Sequence, residues 1–131
     1  MNGKGKVTKM RNIRNYGVLT GRLTKEPMIY DNRDGSRKIR FTLAVQDSFT
    51  DGEGNRSSQF IPLEAFISAK KQGNGVYDYL DRGDFITCSY TVQNNNYTDK
   101  NGEKVYGLVL LVDTVSILES RASKEARGSA S

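Results

Sequence analysis

Arg37-Lys-Ile-Arg-Phe-Thr-Leu-Ala-Val-Gln-Asp47, followed beyond a polar turn by Gln59-Phe-Ile-Pro-Leu-Glu-Ala-Phe66, is the stretch on which the fold turns. Both halves alternate with period two, the pattern of half-buried β-strands. In the first, Ile39, Phe41, Leu43 and Val45 share one side, and Lys38, Arg40, Thr42 and Gln46 the other. In the second, Ile61, Leu63, Ala65 and Ile67 make an aliphatic side, opposite Phe60, Pro62, Glu64 and Phe66. Large aromatics normally turn inward. Two phenylalanines on a polar side, beside basic residues, describe a surface that stacks something flat.

Working outward, Tyr16 to Leu23 reads as a first strand, with Gly17 and Gly21 signalling a bend or a close backbone approach. Met28 to Tyr30 is a short extension before a turn at 31–35, and the second strand covers 37–47. Asp51-Gly-Glu-Gly-Asn55 looks too acidic and too glycine-rich for regular structure. The third strand spans about 57–67, and Pro62, lacking an N–H, belongs at an edge or a bulge. A short helix is predicted over about 76–81, stopped at Gly83. Phe85 to Val92 makes a fourth strand and 104–118 a long fifth, with an Asn-rich hairpin loop between them. Residues 105–112 are apolar on both sides apart from Tyr106 and Gly107, so their outer side should meet another layer or another subunit. Five short antiparallel strands with one helix between the third and fourth make an all-β, five-stranded OB-fold barrel, whose usual cargo is oligonucleotide or oligosaccharide.

The chain has 131 residues, the size of one domain, placed at 16–120 between a flexible basic arm (1–15) and a short disordered tail (121–131). Its net charge of +5 is uneven: the arm carries +5, the tail +2, and the domain, with 12 basic and 14 acidic side chains, −2. A polyanion must therefore be held by a local basic groove and the basic ends, not by overall charge. No long apolar run spans a membrane, and the arm lacks the apolar core of a secretory signal, so the expected compartment is the cytoplasm. The Asn55-Arg-Ser57 and Asn96-Tyr-Thr98 glycosylation patterns are then coincidental. The single cysteine, Cys88, reads as a small core residue.

Catalysis finds little support. There is no histidine to serve as general base or to form a zinc cluster, and no metal or cofactor is expected. Asp51-Gly-Glu53-Gly-Asn55 begins like a calcium loop, but Arg56 stands in place of the turn glycine and Pro62 in place of the bidentate glutamate. What the chain does have is aromatics on loops and polar sides, interleaved with cations. Phe49, Phe60, Phe66 and Tyr97 are accompanied by Arg33, Arg37, Lys38, Arg40, Arg56, Lys100 and Lys104. Any one aromatic could simply pack under a loop; four together argue for a surface. Base stacking is worth about 1–3 kcal/mol and suits any base, so such a surface takes single strands with little sequence preference. RNA and a protein partner are the alternatives.

Gly21-Arg-Leu-Thr-Lys-Glu-Pro27, Phe41-Thr-Leu-Ala-Val45, Asn96-Tyr-Thr-Asp-Lys-Asn-Gly-Glu-Lys-Val-Tyr106 and Val115-Ser-Ile-Leu-Glu-Ser120 resemble the bacterial and phage single-stranded DNA-binding proteins over about 15–120. The resemblance implies a non-enzymatic protein that coats single strands in replication, recombination or repair. It implies base stacking by Phe49, Phe60, Phe66 and Tyr97, adds Tyr30 after the proline-containing turn, and implies a homotetramer, with replication or recombination proteins as further partners. Cellular members end in an acidic, aromatic tip; the basic end of this chain resembles a phage or plasmid version, or a truncated one. With no tryptophan, stacking per base should be somewhat weaker.

Overall fold

The computed structural model describes residues 13–119. The tail, and the expected arm up to residue 12, lie outside the described residues. Within them, eight strands form: β1 (Gly17–Leu23), β2 (Met28–Asp31), β3 (Arg37–Gln46), β4 (Ser58–Ile67), β5 (Phe85–Asn94), β6 (Tyr97–Thr98), β7 (Lys104–Val105) and β8 (Leu108–Ile117).

The main sheet runs β1-β5-β8-β4-β3-β2, and β1 also pairs with β3, which closes it into a barrel. β3 makes closure possible because it is long enough to serve two partners. Its first half, Arg37 to Arg40, pairs with β2, while Leu43 and Ala44 pair with Leu23 and Arg22 of β1. β1, β3, β4, β5 and β8 are the five barrel strands, as an OB-fold requires. One pairing departs from the all-antiparallel expectation: β4 meets β8 in parallel, at Glu64 and Leu111. The contact is confined to that register, so the first half of β4 is an edge, and Pro62 sits there, paired on its other side with Thr42.

The period-two reading of β3 and β4 holds residue by residue. Ile39, Phe41, Leu43, Leu63, Ala65 and Ile67 are buried, and Val45 and Ile61 pack against them. Each fully buried Leu or Ile contributes about 1.5–3 kcal/mol. β1 lies close to its neighbours for the reason its glycines suggest. A Cβ on Gly17 would strike the Tyr90 ring, and one on Gly21 the Ala44 carbonyl oxygen.

The short helix predicted over about 76–81 is a single 3₁₀ turn, Gly75–Tyr79, followed by extended Leu80. Gly73 and Gly75 both take positive φ, and the Asp78 carboxylate accepts hydrogen bonds from the backbone and side chain of Asn74. These bonds fix one tight turn and leave no length for an α-helix. Tyr77 from this turn plugs the barrel end, its ring centroid 5.9 Å from that of Phe41. The long fifth strand is also interrupted. It divides into β7 and β8, because Tyr106 and Gly107 leave the ladder; Gly107 instead exchanges bonds with Asn95 and Asn96.

Candidate nucleic-acid interface

Three hairpin loops share one turn design. In Asn32–Ser36, Asp51–Asn55 and Asp99–Glu103 the first N–H donates to the fifth carbonyl, and the fourth N–H donates to the first carbonyl. The fourth residue is glycine each time, with φ of 90°, 85° and 80° at Gly35, Gly54 and Gly102. This is the five-residue form in which a type I turn ends in a left-handed glycine. The carboxylates of Asp51 and Asp99 each accept two backbone N–H bonds, and that of Asp34 accepts from the N–H and hydroxyl of Ser36. Donors around the charged form hold the Asp34 and Asp51 carboxyls below their ordinary 3.8. The 51–55 stretch is a loop outside helix and strand, as its composition indicates, but a tightly bonded one whose lead carboxylate is satisfied by its own backbone. The turns carry Arg33 and Lys100 at their second positions.

Behind these turns the register of β2, β3 and β4 builds a mosaic on the side away from the core. Tyr30, Lys38 and Phe66 form one cross-strand row; Met28, Arg40 and Glu64 form the next; then come Thr42 with Pro62, and Ala44 with Phe60. Phe60 and Phe66 are 67% and 62% exposed, so the parity argument that placed them outward is correct. Six residues separate them along β4, about 20 Å. The Lys38 ammonium lies 5.4 Å from the Tyr30 ring centroid and 3.9 Å from a Glu64 carboxylate oxygen. Among the described residues the charged heads of Arg33, Arg40, Arg56, Lys100 and Lys104 make no ion pair or hydrogen bond.

Arg37 has a different role from its neighbours. It shares the parity of Ile39, not of Lys38, and its guanidinium donates to the carbonyls of Ser68, Lys71 and Gly73 at 3.3, 2.8 and 3.1 Å. It fastens the 68–73 loop across the barrel end and leaves Lys38 and Arg40 as the cations of the outer face. The alternation of residues 37–40 already contained that distinction.

Phe49 and Tyr97 stand on the two long loops, 69% and 56% exposed. The second has a companion that sequence reading missed. Tyr106, 75% exposed, lies with Asn96, Tyr97, Thr98 and Lys104 around a cleft of about 300 Å³. Reading residues 104–118 as one unbroken strand hid it; Gly107 was the signal that the ladder breaks there.

A sequence comparison matches residues 14–118 to the Single-strand binding protein family. The chain is 34% identical over 113 residues to the Single-stranded DNA-binding protein 1 of Staphylococcus aureus strain Mu50, covering 86% of this chain and 70% of that protein. Against the Single-stranded DNA-binding protein 2 of the same strain it is 36% identical over 107 residues, 82% of this chain and 74% of the relative. Against the Single-stranded DNA-binding protein of Enterococcus faecalis strain V583 it is 33% identical over 114 residues, 87% and 59% of the two chains. With a closed OB-fold barrel, an aromatic outer face and this extent of similarity, the chain belongs to the single-strand binding protein family.

Proposed function

We propose that this chain binds single-stranded DNA without regard to sequence, coating and protecting strands exposed during replication, recombination or repair in a bacterial cytoplasm. It acts as a binding protein and not as an enzyme. Bases stack on Tyr30, Phe60 and Phe66 across the sheet and on Phe49, Tyr97 and Tyr106 at the loops. Phosphates meet Lys38 and Arg40 on the sheet and Arg33, Arg56, Lys100 and Lys104 on the turns. Arg37 serves by positioning the loop behind them. One observation carries the reading: Phe49, Phe60, Phe66, Tyr97 and Tyr106, each more than half exposed, are interleaved with cations. Lys38 is held by Glu64 and Tyr30, whereas the charged heads of Arg33, Arg40, Arg56, Lys100 and Lys104 have no ion pair or hydrogen bond among the described residues. Duplex hides the faces that such a surface needs.

The test is anisotropy titration with matched single-stranded DNA, duplex and RNA at two salt concentrations. Tight binding of the single strand, weak binding of duplex, and a log–log salt slope of about −0.7 per neutralised phosphate are expected. Equal or tighter binding of RNA would move the reading to an RNA-binding OB-fold. Indifference to all three would leave a protein-interaction module.

The working unit is a homotetramer. The edge of β1 from Gly17 to Gly21 opposite β5 has no strand partner among the described residues, and Val18, Leu108 and Ile117 are exposed apolar groups. A second copy would cover such an edge and such side chains. Light scattering at micromolar concentration should give a tetramer; a stable monomer refutes it.

A further inference from the structure

The row that holds Phe60 does not stop at β3. Ala44 pairs with Phe60 on one side and with Arg22 of β1 on the other, and Arg22 pairs with Phe85 of β5. The sequence Phe60–Ala44–Arg22–Phe85 therefore runs across four strands, over the seam where the barrel closes. Its second member is small. Neighbouring strands lie about 4.8 Å apart, so Phe60 and Arg22 rise about 10 Å from each other with only a methyl group between them. A base sandwiched between two planar groups needs about 7 Å, two stacking steps of about 3.4 Å. The exposed Phe60 ring would therefore lean in by about 3 Å to close on it.

The Arg22 wall is already fixed in place. Its guanidinium stands 4.9 Å from the Phe85 ring centroid, donates to the Gly83 carbonyl at 2.9 Å and pairs with Glu119 at 3.3 Å. A guanidinium so compensated adds little net charge, but its plane still stacks. A groove of about 350 Å³ runs over the seam beside this row, lined by Arg22, Ala44 and Phe85 with Gln46, Ser58 and Thr20; Phe60 stands outside its lining, at the Ala44 side. The Gln46 amide and the Ser58 hydroxyl both donate and accept, so the rim can meet the edge of any base.

We infer that Phe60, Ala44 and Arg22 form a slot that takes one base of the bound strand between ring and guanidinium, carrying the strand from the β3–β4 face over the seam to β1. The inference rests on the single-stranded DNA reading above and gives it a direction. The test is anisotropy with the full chain and a fluorescent oligo-dT, using Ala44→Val, which fills the floor, and Arg22→Lys, which keeps the charge and loses the plane. Each should weaken binding about fivefold to a hundredfold. Arg22→Lys should leave the salt slope unchanged, and in a Phe60→Ala background Ala44→Val should cost less than about twofold. Should Ala44→Val lower the melting temperature sharply, Arg22→Lys decides. If Phe60→Ala weakens binding but Arg22→Lys, or a stably folded Ala44→Val, binds as the wild type, the slot is wrong and the interface stands. If Phe60→Ala also binds as the wild type, the interface reading itself has failed.

Discussion

On β2, β3 and β4 the positions turned away from the core hold Tyr30, Lys38, Arg40, Phe60 and Phe66, whereas on β1, β5 and β8, beyond Arg22 and Phe85 at the seam, they hold Val18, Thr20, Thr87, Ser89, Thr114 and Ser116. Both surfaces come from one pleated barrel in which inward and outward residues alternate, the β5–β8 pairing shifting parity once, at the bulge opposite Ser89 and Tyr90. On the second, hydroxyls bond to one another across strands: Thr20 with Thr87 at 2.9 Å and Ser89 with Thr114 at 2.7 Å. Four of its hydroxyls are thus satisfied within the sheet, while the first face leaves the Phe60 and Phe66 rings and the Arg40 guanidinium available. The pleat decides which residues are outside; it says nothing of what they are for. That difference is the reason to place DNA on one face and a second copy of the chain along the edge of the other.

The largest effect should come from neither face. Leu43→Ala empties a fully buried site and should cost about 2–5 kcal/mol of stability by denaturant unfolding, with loss of DNA binding only as the fold is lost. On the aromatic face, Phe60→Ala and Phe66→Ala should each weaken single-strand binding by about 1–3 kcal/mol with melting temperature little changed. A large melting shift with unaltered affinity would make them packing residues and erase the contrast between the faces. On the hydroxyl face, Ser89→Ala should cost about 1 kcal/mol of stability and leave affinity as it was.

Smaller still is the response of the turns to acid. The Asp34, Asp51 and Asp78 carboxyls are held below 3.8 by the N–H and O–H groups they accept from, so the unfolded chain binds protons more readily. Their stabilisation is complete above that value and is lost as pH falls through the folded pKa. Hydrogen exchange at the Glu53 and Asn55 amides should therefore lose protection below about pH 4, once the rate is corrected for its intrinsic pH dependence. The opposite sign applies in alkali. Burial pushes Tyr77 up to about 12 and Cys88 up to about 11, so ionisation in the unfolded chain erodes stability as pH rises past their ordinary values of 10.0 and 9.0. The Cys88 thiol should be inert to a disulfide reagent in the native protein and reactive in denaturant.

Much of this contrast was legible in residues alone. Strict alternation placed Ile39, Phe41 and Leu43 inside and Phe60 and Phe66 outside, because a half-buried strand offers no third option. Local bonding was harder to read. The 3₁₀ turn depends on an Asp78–Asn74 clasp, and the shared turn of the three loops on an Asp or Asn four residues before its partner, with glycine between. The parallel β4–β8 contact, and the seam that brings Arg22 beside Ala44, join residues far apart in sequence. They follow from closure of the barrel and from no local pattern. Tyr106 fell between the two cases: its exposure depends on a break in the ladder that Gly107 announced only weakly.

The central claim, that bases lie on the β2–β3–β4 face and its loops, is tested most directly by photo-crosslinking the full chain to iodouracil-substituted single-stranded DNA and mapping the modified peptides. Tyr16 and Tyr79 are exposed aromatics outside that surface and serve as internal controls. The account predicts crosslinks at Phe60, Phe66, Phe49, Tyr97 and Tyr106, with Tyr16 and Tyr79 unmodified. Crosslinks concentrated at Tyr16 or Tyr79, with the β4 phenylalanines untouched, would contradict it.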